Sequence, residues 1–316
     1  MKYRTTKIWT IAVLMSALVL GGCATPSTSL EETAAEPITV ATAVDTEGGV
    51  IGQLIVQLLQ ANEIPVVDQT QFAEISILRN ALVSGEVDLT VDYTGSGERY
   101  FADTNPTTWS DPVAGYELIK QLDAETNQLI WLTPAPANNT EAIAVTKTFA
   151  QEQGLETVAD FAAYVNADKP VKFITSTTFA QGKRGLVGLE EAYGFQLTDD
   201  QMIQLQDGNT AQMLKALSEG QNGVNFSLVY ATDGSLDKLE MVVLADEKSV
   251  PPVYAPTAVI REEMLTVHPE VETLLQPLFE SLSQENLQKM NAQVAFDGEN
   301  PKDVAAAYLA ENGFIQ

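Results

Sequence analysis

The sequence predicts an α/β protein, and three observations lead to that prediction. Short apolar segments alternate with amphipathic helical segments from Ile38 onward, which is typical of helices packed on mainly parallel sheets. About 280 residues carry this pattern, and 45% of the chain is apolar, which is enough for one large domain or two lobes. The chain has one cysteine and therefore no intrachain disulfide, so a hydrophobic core must hold the fold together.

The N-terminal segment predicts a lipoprotein signal peptide over residues 1–22. A basic n-region precedes an apolar run at residues 8–20, which is too short to span a bilayer. The box Leu20-Gly21-Gly22-Cys23 follows, and the Cys23 thiol is the predicted lipidation site. Residues 23–37 are small, polar and acidic, and predict a flexible tether. We expect a lipid-anchored protein at the outer face of a bacterial cytoplasmic membrane or in the periplasm. A secretion signal with an incidental cysteine is the alternative.

The charge excludes one large class of partners. The full chain has a formal net charge of −26, and removal of residues 1–22 takes away three basic residues and no acidic one, which makes it −29. Nucleic acid carries the same sign of charge, so we expect no nucleic-acid partner.

Beyond the tether, each predicted element follows from its local pattern. Strands are predicted at 38–41, 87–91, 129–132, 142–145, 171–174, 224–229, 241–244 and 257–260. Helices are predicted between most of them, for example at 49–61, 113–126 and 210–218. Pro301 near the start of the last helix and Gly313 just past its end mark that helix clearly.

A helix–glycine–strand–tyrosine unit occurs twice. Gly85 ends one predicted helix and Tyr93 follows the next strand, while Gly220 and Tyr230 hold the same places in the second unit. Ligands of open α/β sheets bind beyond the carboxyl ends of strands, so two such units predict two lobes that each offer a tyrosine to a shared cleft. Helix–glycine–strand units are also common in α/β proteins with no such role.

Signals of catalysis are scarce. The one histidine, His268, precedes a proline and is expected at the surface, and the sequence has no HExxH, GxSxG or glycine-rich phosphate loop. No EF-hand-like spacing occurs among the many carboxylates. We therefore expect a protein that is not an enzyme and has no cofactor or metal.

Several segments resemble one family in the same order along the chain. The chain is similar to the osmoprotectant-binding proteins of ABC importers, which bind glycine betaine, choline and related quaternary amines, and within them to the OsmF-type periplasmic proteins. The similarity runs from about Ile38 to the C-terminus. The segments are 44–48, 92–95, 131–140, 193–195, 230–234 and 254–256.

The resemblance implies a two-lobed type II periplasmic-binding-protein fold with a hinged interlobe cleft. Lobe one would hold residues 38–143 together with 254–316, and lobe two would hold residues 144–253. The implied partners are a small quaternary amine or betaine and a membrane permease, and the implied oligomeric state is a monomer.

In the family, tyrosines form a box around a trimethylammonium group, and the matching positions here are Tyr93, Tyr230 and Tyr254. Thr94 stands beside the first of them, and Asp45 and Thr46 would shape the floor of the cleft. A quaternary ammonium has no hydrogen to donate, so aromatic faces suit it, each contributing about 0.5–2 kcal/mol.

The chain departs from the family pattern at positions that carry charge. Glu141 stands where an aromatic residue usually follows the Asn-Asn-Thr turn, the family's carboxylate-binding arginine falls at Gly182, and a basic residue common near Ala43 is absent. Lys183 or Arg184 could replace that arginine, or could be solvated charges at a helix start.

These departures leave the ligand open. Together they remove positive charge and one ring and add a carboxylate, which predicts that the cleft prefers a cation such as choline over the zwitterion glycine betaine. Two alternatives remain: a receptor for another cationic solute, such as a polyamine or amino acid, and a lipoprotein enzyme or adhesion module that reuses the fold.

Overall fold

The computed structural model describes residues 36–206 and 210–315, except the side chain of Asp237. The predicted signal peptide, the Cys23 lipidation site and most of the tether lie outside the described residues, and those assignments stay predictions. Within the described ranges, no helix combines the length and the apolar character needed to cross a bilayer.

Two five-stranded sheets organise the described part of the chain. The first has the order β2-β1-β3-β10-β4 and contains β1 (Ile38–Ala43), β2 (Val66–Ala73), β3 (Leu89–Tyr93), β4 (Leu129–Pro134) and β10 (Pro256–Arg261). The second has the order β7-β6-β8-β5-β9 and contains β5 (Glu141–Thr146), β6 (Phe173–Ser176), β7 (Met202–Leu205), β8 (Phe226–Tyr230) and β9 (Met241–Val243). The elements packed on each sheet form one lobe.

Helices cover both sheets. Those of the first lobe are α1 (Thr46–Ala61), α2 (Ile75–Ser84), α3 (Gly97–Tyr100), α4 (Pro112–Asn127), α11 (Glu262–Val267), α12 (Glu270–Ser281), α13 (Gln284–Ala295) and α14 (Pro301–Glu311). Those of the second lobe are α5 (Lys147–Gln153), α6 (Val158–Asn166), α7 (Thr177–Gln181), α8 (Leu186–Tyr193), α9 (Thr210–Ser218) and α10 (Ser235–Lys238). The last helix is confirmed: Pro301 is its first residue, and Gly313 follows with φ 73°.

The two sheets are mixed, and the prediction of mainly parallel sheets is wrong. In each sheet the first three strands of the order pair in parallel, whereas β10 and β5 run antiparallel to both of their neighbours. β10 and β5 are the strands by which the chain enters one sheet after leaving the other. Their direction is set by that passage and not by a helical crossover, which is the connection that makes neighbouring strands parallel.

The repeated sequence unit occupies the same place in both sheets. β3 and β8 are each third in their order, beside the antiparallel strand that arrives from the other sheet. Gly85 and Gly220, which follow α2 and α9, both have left-handed backbone angles, with φ of 78° and 60°. Tyr93 and Tyr230 are the last residues of β3 and β8. The two tyrosines therefore end equivalent strands.

Each lobe has its own hydrophobic core, built from residues within 36–315. Apolar residues of α1 and α12–α14 cover one face of the first sheet, and a second cluster around the fully buried Trp109 and Trp131 covers the other. The second sheet packs around phenylalanines, of which Phe161 and Phe226 have ring centroids 4.6 Å apart.

A buried polar network ties three elements of the first lobe together. Asp123 on α4 is fully buried and accepts two hydrogen bonds from the Arg79 guanidinium on α2, at 2.5 and 2.7 Å. The Trp131 indole of β4 and the Asn127 amide donate to the same carboxylate, each at 2.7 Å. One acidic side chain thus satisfies donors from two helices and a strand.

Two segments connect the sheets, at residues 135–140 and 244–255, and they run side by side. The Thr140 hydroxyl donates to the Pro252 carbonyl at 2.9 Å, and the Asn139 N–H donates to the Tyr254 carbonyl at 2.9 Å. The Asn138 side chain accepts from the Tyr254 N–H at 2.8 Å. These bonds bind the two crossings to each other. The predicted lobe boundaries near residues 143 and 253 stay predictions.

His268 is buried, which corrects the expectation of a surface residue. It is 2% exposed at the end of α11, and its Nε2 lies 2.7 Å from the Glu36 carbonyl. The ring therefore fastens the beginning of the described chain to the C-terminal helices. The proline that follows His268 indicated a helix junction, but gave no sign that the N-terminal residues would cover the ring.

Candidate functional site

Tyr93 and Glu47 form the deepest part of the site. Tyr93, at the end of β3, is 9% exposed, and its hydroxyl donates to Glu47 Oε1 at 2.8 Å. Glu47 lies in the first turn of α1 and also accepts from the Asn139 amide at 3.2 Å and the Asn291 amide at 2.8 Å. Burial raises the pKa of the Glu47 carboxyl, and its hydrogen bonds oppose that rise. The Tyr93 hydroxyl is engaged, so this residue can offer a ligand only its ring.

Glu141 and Tyr230 stand next to each other in the second sheet. They are directly opposed across the antiparallel pair β5–β8, so their side chains project from the same face. Both residues are half-buried. Burial raises the pKa of Glu141 to about 7 and that of Tyr230 to about 12, and the Glu141 charge adds to the second shift. Near neutral pH, Glu141 is therefore poised between its two charge states while Tyr230 remains neutral.

Tyr254 joins this pair from the second crossing. Its ring packs on Gly95, where an added Cβ would lie 2.9 Å from the ring carbons, so only glycine fits beneath it. Burial raises the pKa of Tyr254 to about 12, and the nearby Glu141 and Tyr230 contribute to that rise. Two rings and one carboxyl, two of these groups from the second sheet and one from a crossing, therefore lie close enough to act on one another electrostatically.

Arg99 is the basic residue whose charge acts on Glu141, Tyr230 and Tyr254. It lies on α3 with an exposed side chain, and its Nη2 donates to Ser96 Oγ at 3.3 Å. The guanidinium opposes the burial-driven rise in the pKa of Glu141, Tyr230 and Tyr254. Sequence reasoning missed Arg99 because nothing in its local pattern distinguishes it from a solvated helix residue.

The other predicted site residues have local partners. Asp45 is exposed and caps α1 by accepting from the Gly48 N–H at 2.6 Å, and Thr46 is the half-buried first residue of that helix. The buried Thr94 hydroxyl donates to the Val253 carbonyl at 2.8 Å and accepts from the Ala255 N–H at 3.2 Å. Thr94 thus holds the second crossing against the end of β3.

Side chains also bridge the two lobes on either side of the crossings. Arg184, after α7, donates to Ser110 Oγ, and its Nε lies 3.7 Å from Glu98 Oε2. Gln288 on α13 donates to the Ala231 carbonyl at 2.7 Å, and Asn291 donates to the Thr232 carbonyl at 3.0 Å. These bridges set the relation between the lobes in this conformation.

Gly234 allows the loop after β8 to pack directly against α13. Gly234 lies against the backbone of α13, and a Cβ at this position would lie 2.2 Å from the Ala292 nitrogen. No side chain fits there without movement of one lobe relative to the other.

Two cavities border the crossings. One, of about 190 Å³, lies between the two crossing segments, and its lining includes Asn138, Glu141 and Val253. The other, of about 520 Å³, opens between the lobes beside Ser110, Lys183 and Arg184. Within the described ranges, no three acidic, histidine or cysteine side chains are grouped to hold a metal ion. Glu141 lines the smaller cavity, next to Tyr230 in the register of β5 and β8.

Two lobes with separate cores are joined by two adjacent crossings, an architecture typical of binding proteins that close around a ligand by hinge motion. Residues 36–311 match the family model for the substrate-binding domain of the ABC-type glycine betaine transport system. The chain belongs to this family.

Individual proteins agree with that assignment. The chain is 39% identical to the glycine betaine-binding protein YehZ of Escherichia coli over 310 residues, which cover 98% of this chain and 99% of that protein. It is 31% identical to a glycine-betaine-binding protein of Pseudomonas aeruginosa over 89% of each chain. The solved structure of apo YehZ from E. coli superimposes with a TM-score of 0.79 at 40% identity, covering 89% of this chain and all of that one.

Proposed function

We propose that this chain is the extracytoplasmic receptor of an ABC importer and captures a small quaternary ammonium compound, with glycine betaine and choline as the first candidates. The observation that carries this proposal is the proximity of three groups: Glu141 is opposite Tyr230 in the register of β5 and β8, and both act electrostatically on Tyr254. The names of the E. coli and P. aeruginosa relatives support the ligand class.

The chemistry of these groups suits a trimethylammonium group, which has no hydrogen to donate. Ring faces attract a trimethylammonium group without needing an N–H, at about 0.5–2 kcal/mol for each ring. Their hydroxyls stay neutral, so the rings remain uncharged at every physiological pH. Glu141 adds a negative charge whose strength depends on pH.

We propose that Cys23 carries a lipid anchor, that a membrane permease receives the ligand, and that the protein acts as a monomer without catalysis. The two crossings would serve as the hinge, because closure around a ligand needs a few residues that absorb the change in backbone angles.

The test is ligand binding by residues 24–316, which contain both cores. At about a hundred times its dissociation constant, a ligand adds about 2.7 kcal/mol to the free energy of unfolding, which for a chain of this size raises Tm by several degrees. We expect such a shift with glycine betaine or choline. Absence of a shift with every quaternary amine would contradict the proposal.

Tyr230 gives the sharpest check on the site. We expect Tyr230→Ala to weaken binding of a quaternary amine about 2- to 30-fold, because one ring face is lost. Tyr230→Phe keeps the ring and is the matched control, with affinity close to wild type. Calorimetry measures both. Equal losses in the two variants would show that the hydroxyl and not the ring face matters.

A second candidate ligand class is a cation with N–H groups, such as a polyamine or an amino acid. One observation favours it: Asn139 Oδ1 is buried and has no hydrogen-bond partner among the described residues. That oxygen and Glu141 are acceptors that a quaternary amine leaves unused. Spermidine and several amino acids in the same thermal panel separate the two classes.

Glu141 predicts a pH dependence of cation binding. Its pKa of about 7 reflects burial, which disfavours the carboxylate. A bound cation favours the carboxylate, so a proton must leave on binding at low pH. We expect the choline dissociation constant to rise by up to about tenfold between about pH 8 and about pH 6.

Glu141→Gln is the control for this dependence. The variant should bind choline with nearly the same affinity at both pH values when calorimetry is repeated. A slope that survives in the variant would assign the titration to another group.

A further inference from the structure

We propose that Arg99 receives the carboxylate of a zwitterionic ligand, so that the cleft holds glycine betaine between Glu141 on one side and Arg99 on the other. This inference rests on the proposed function and names the group that completes it. It also revises the hypothesis of a preference for cations, which took account of Glu141 and of the basic residues absent at Ala43 and Gly182 but not of Arg99.

The position of Arg99 follows from its anchor. Its Nη2 donates to Ser96 Oγ at 3.3 Å, and Ser96 is buried in the turn directly after β3. The neighbouring Gly95 is the residue on which the Tyr254 ring packs. The guanidinium is therefore held at the Tyr254 end of the group formed by Tyr230, Tyr254 and Glu141.

The electrostatics agree with this position. Arg99 acts on the titration of all three of those groups, and in each case it favours the negatively charged form. Among the described residues, the Arg99 side chain forms no ion pair within 4.0 Å, in contrast to Arg79, Arg184 and Arg261. Its charge is available to a ligand.

The other basic candidates are engaged or distant from the rings. Arg184 bridges the lobes through Ser110 and Glu98. Lys183 is exposed and lines the open cavity beside Ser110. At the family's basic positions, Ala43 is a buried residue of β1 and Gly182 is the C-cap of α7. Arg99 on α3 would therefore bind the ligand carboxylate in place of the basic residues that the family has at those two positions.

A zwitterion satisfies both charged groups at once. Glu141 and Arg99 carry opposite charges, and Arg99 favours the carboxylate form of Glu141. Glycine betaine would place its ammonium toward Glu141 and its carboxylate toward Arg99. Choline offers Arg99 only a neutral hydroxyl in place of a carboxylate and brings a second positive charge near it. The two ligands share the trimethylammonium group, so they differ mainly in what Arg99 meets.

The experiment is calorimetry of residues 24–316 with glycine betaine and with choline. We expect Arg99→Gln to weaken glycine betaine binding about 10- to 100-fold, since a hydrogen bond between charged groups is lost. Choline affinity should change less than about threefold or improve. Arg99→Lys should retain part of the betaine affinity. Arg184→Gln, which removes a bridge between the lobes, should affect both ligands alike and serves as the control.

Two results would overturn the role of Arg99: equal weakening of both ligands by Arg99→Gln, or unchanged betaine binding. If wild type binds no quaternary amine, the proposed function fails, and Arg99 is then tested without ligand. The carboxyl carbon of Glu141 reports its titration by NMR, and Arg99→Gln should raise the pKa of Glu141, because a favourable positive charge is removed. An unchanged titration would contradict the proximity of the two groups.

Discussion

Replacing Asp123 with alanine should lower the free energy of unfolding by about 3–5 kcal/mol, which is the usual cost of breaking a buried ion pair. Its carboxylate is fully buried and accepts four hydrogen bonds from Arg79, Asn127 and Trp131. Removal leaves the guanidinium charge buried without its partner and the Trp131 N–H unpaired. Urea unfolding followed by circular dichroism measures the effect.

An exposed ion pair provides the control. Lys238 and Asp297 lie 2.9 Å apart with side chains 42% and 44% exposed, so Asp297→Ala should change stability by less than about 1 kcal/mol. Asp123→Asn keeps the shape of the side chain and removes its charge, and should also be strongly destabilising. Loss of less than about 1 kcal/mol in both Asp123 variants would show that solvent reaches Arg79.

Gly234→Ala should destabilise the protein by about 1–3 kcal/mol, the range found for overpacked sites. The new Cβ would lie 2.2 Å from the Ala292 nitrogen and 2.5 Å from the Asn291 carbonyl carbon. Backbone atoms cannot turn aside as a flexible side chain can, so the loop after β8 must move away from α13. The bond from Gln288 to the Ala231 carbonyl would be lost with that movement.

Thermal unfolding and small-angle scattering together test this prediction. Gly115→Ala is the matched control, because the nearest atom to its Cβ is 3.3 Å away and alanine favours the helix in which it lies. We expect a lower Tm and a larger radius of gyration for the Gly234 variant alone. Wild-type values of both quantities would mean that the lobes are not held together at α13.

Most of the fold could be predicted from hydrophobic pattern. All eight predicted strands are confirmed, with ends displaced by about two residues at most, as for the strand predicted at 87–91 and observed at Leu89–Tyr93. Two strands, β2 and β7, were missed. Both lie at sheet edges, and β2 has no buried residue. An edge strand buries little, so its sequence lacks the apolar run on which the prediction depends.

The site was predictable in part. Strand ends and the family pattern pointed to Tyr230, Tyr254 and Glu141, and the β5–β8 register places Glu141 beside Tyr230. Glu47 and Arg99 were missed for opposite reasons. Glu47 resembles an ordinary acidic residue in the first turn of a helix, yet contacts Asn291, which is 244 residues away. Arg99 is distinguished from other surface arginines only by the groups that tertiary structure brings near it, and its sequence carries no sign of them.

The repeated order of the two sheets has a consequence for how the chain is assembled. The five strands of the second sheet lie between Glu141 and Val243 without interruption, whereas β10 of the first sheet begins at Pro256 and lies between β3 and β4. During synthesis from the N-terminus, the second lobe therefore has all its strands while the sheet of the first lobe still lacks β10. The sheet of the first lobe is completed last, by a strand that only the nearly finished chain contains. A chain interrupted before residue 256 would leave the edges of β3 and β4 that face β10 unpaired.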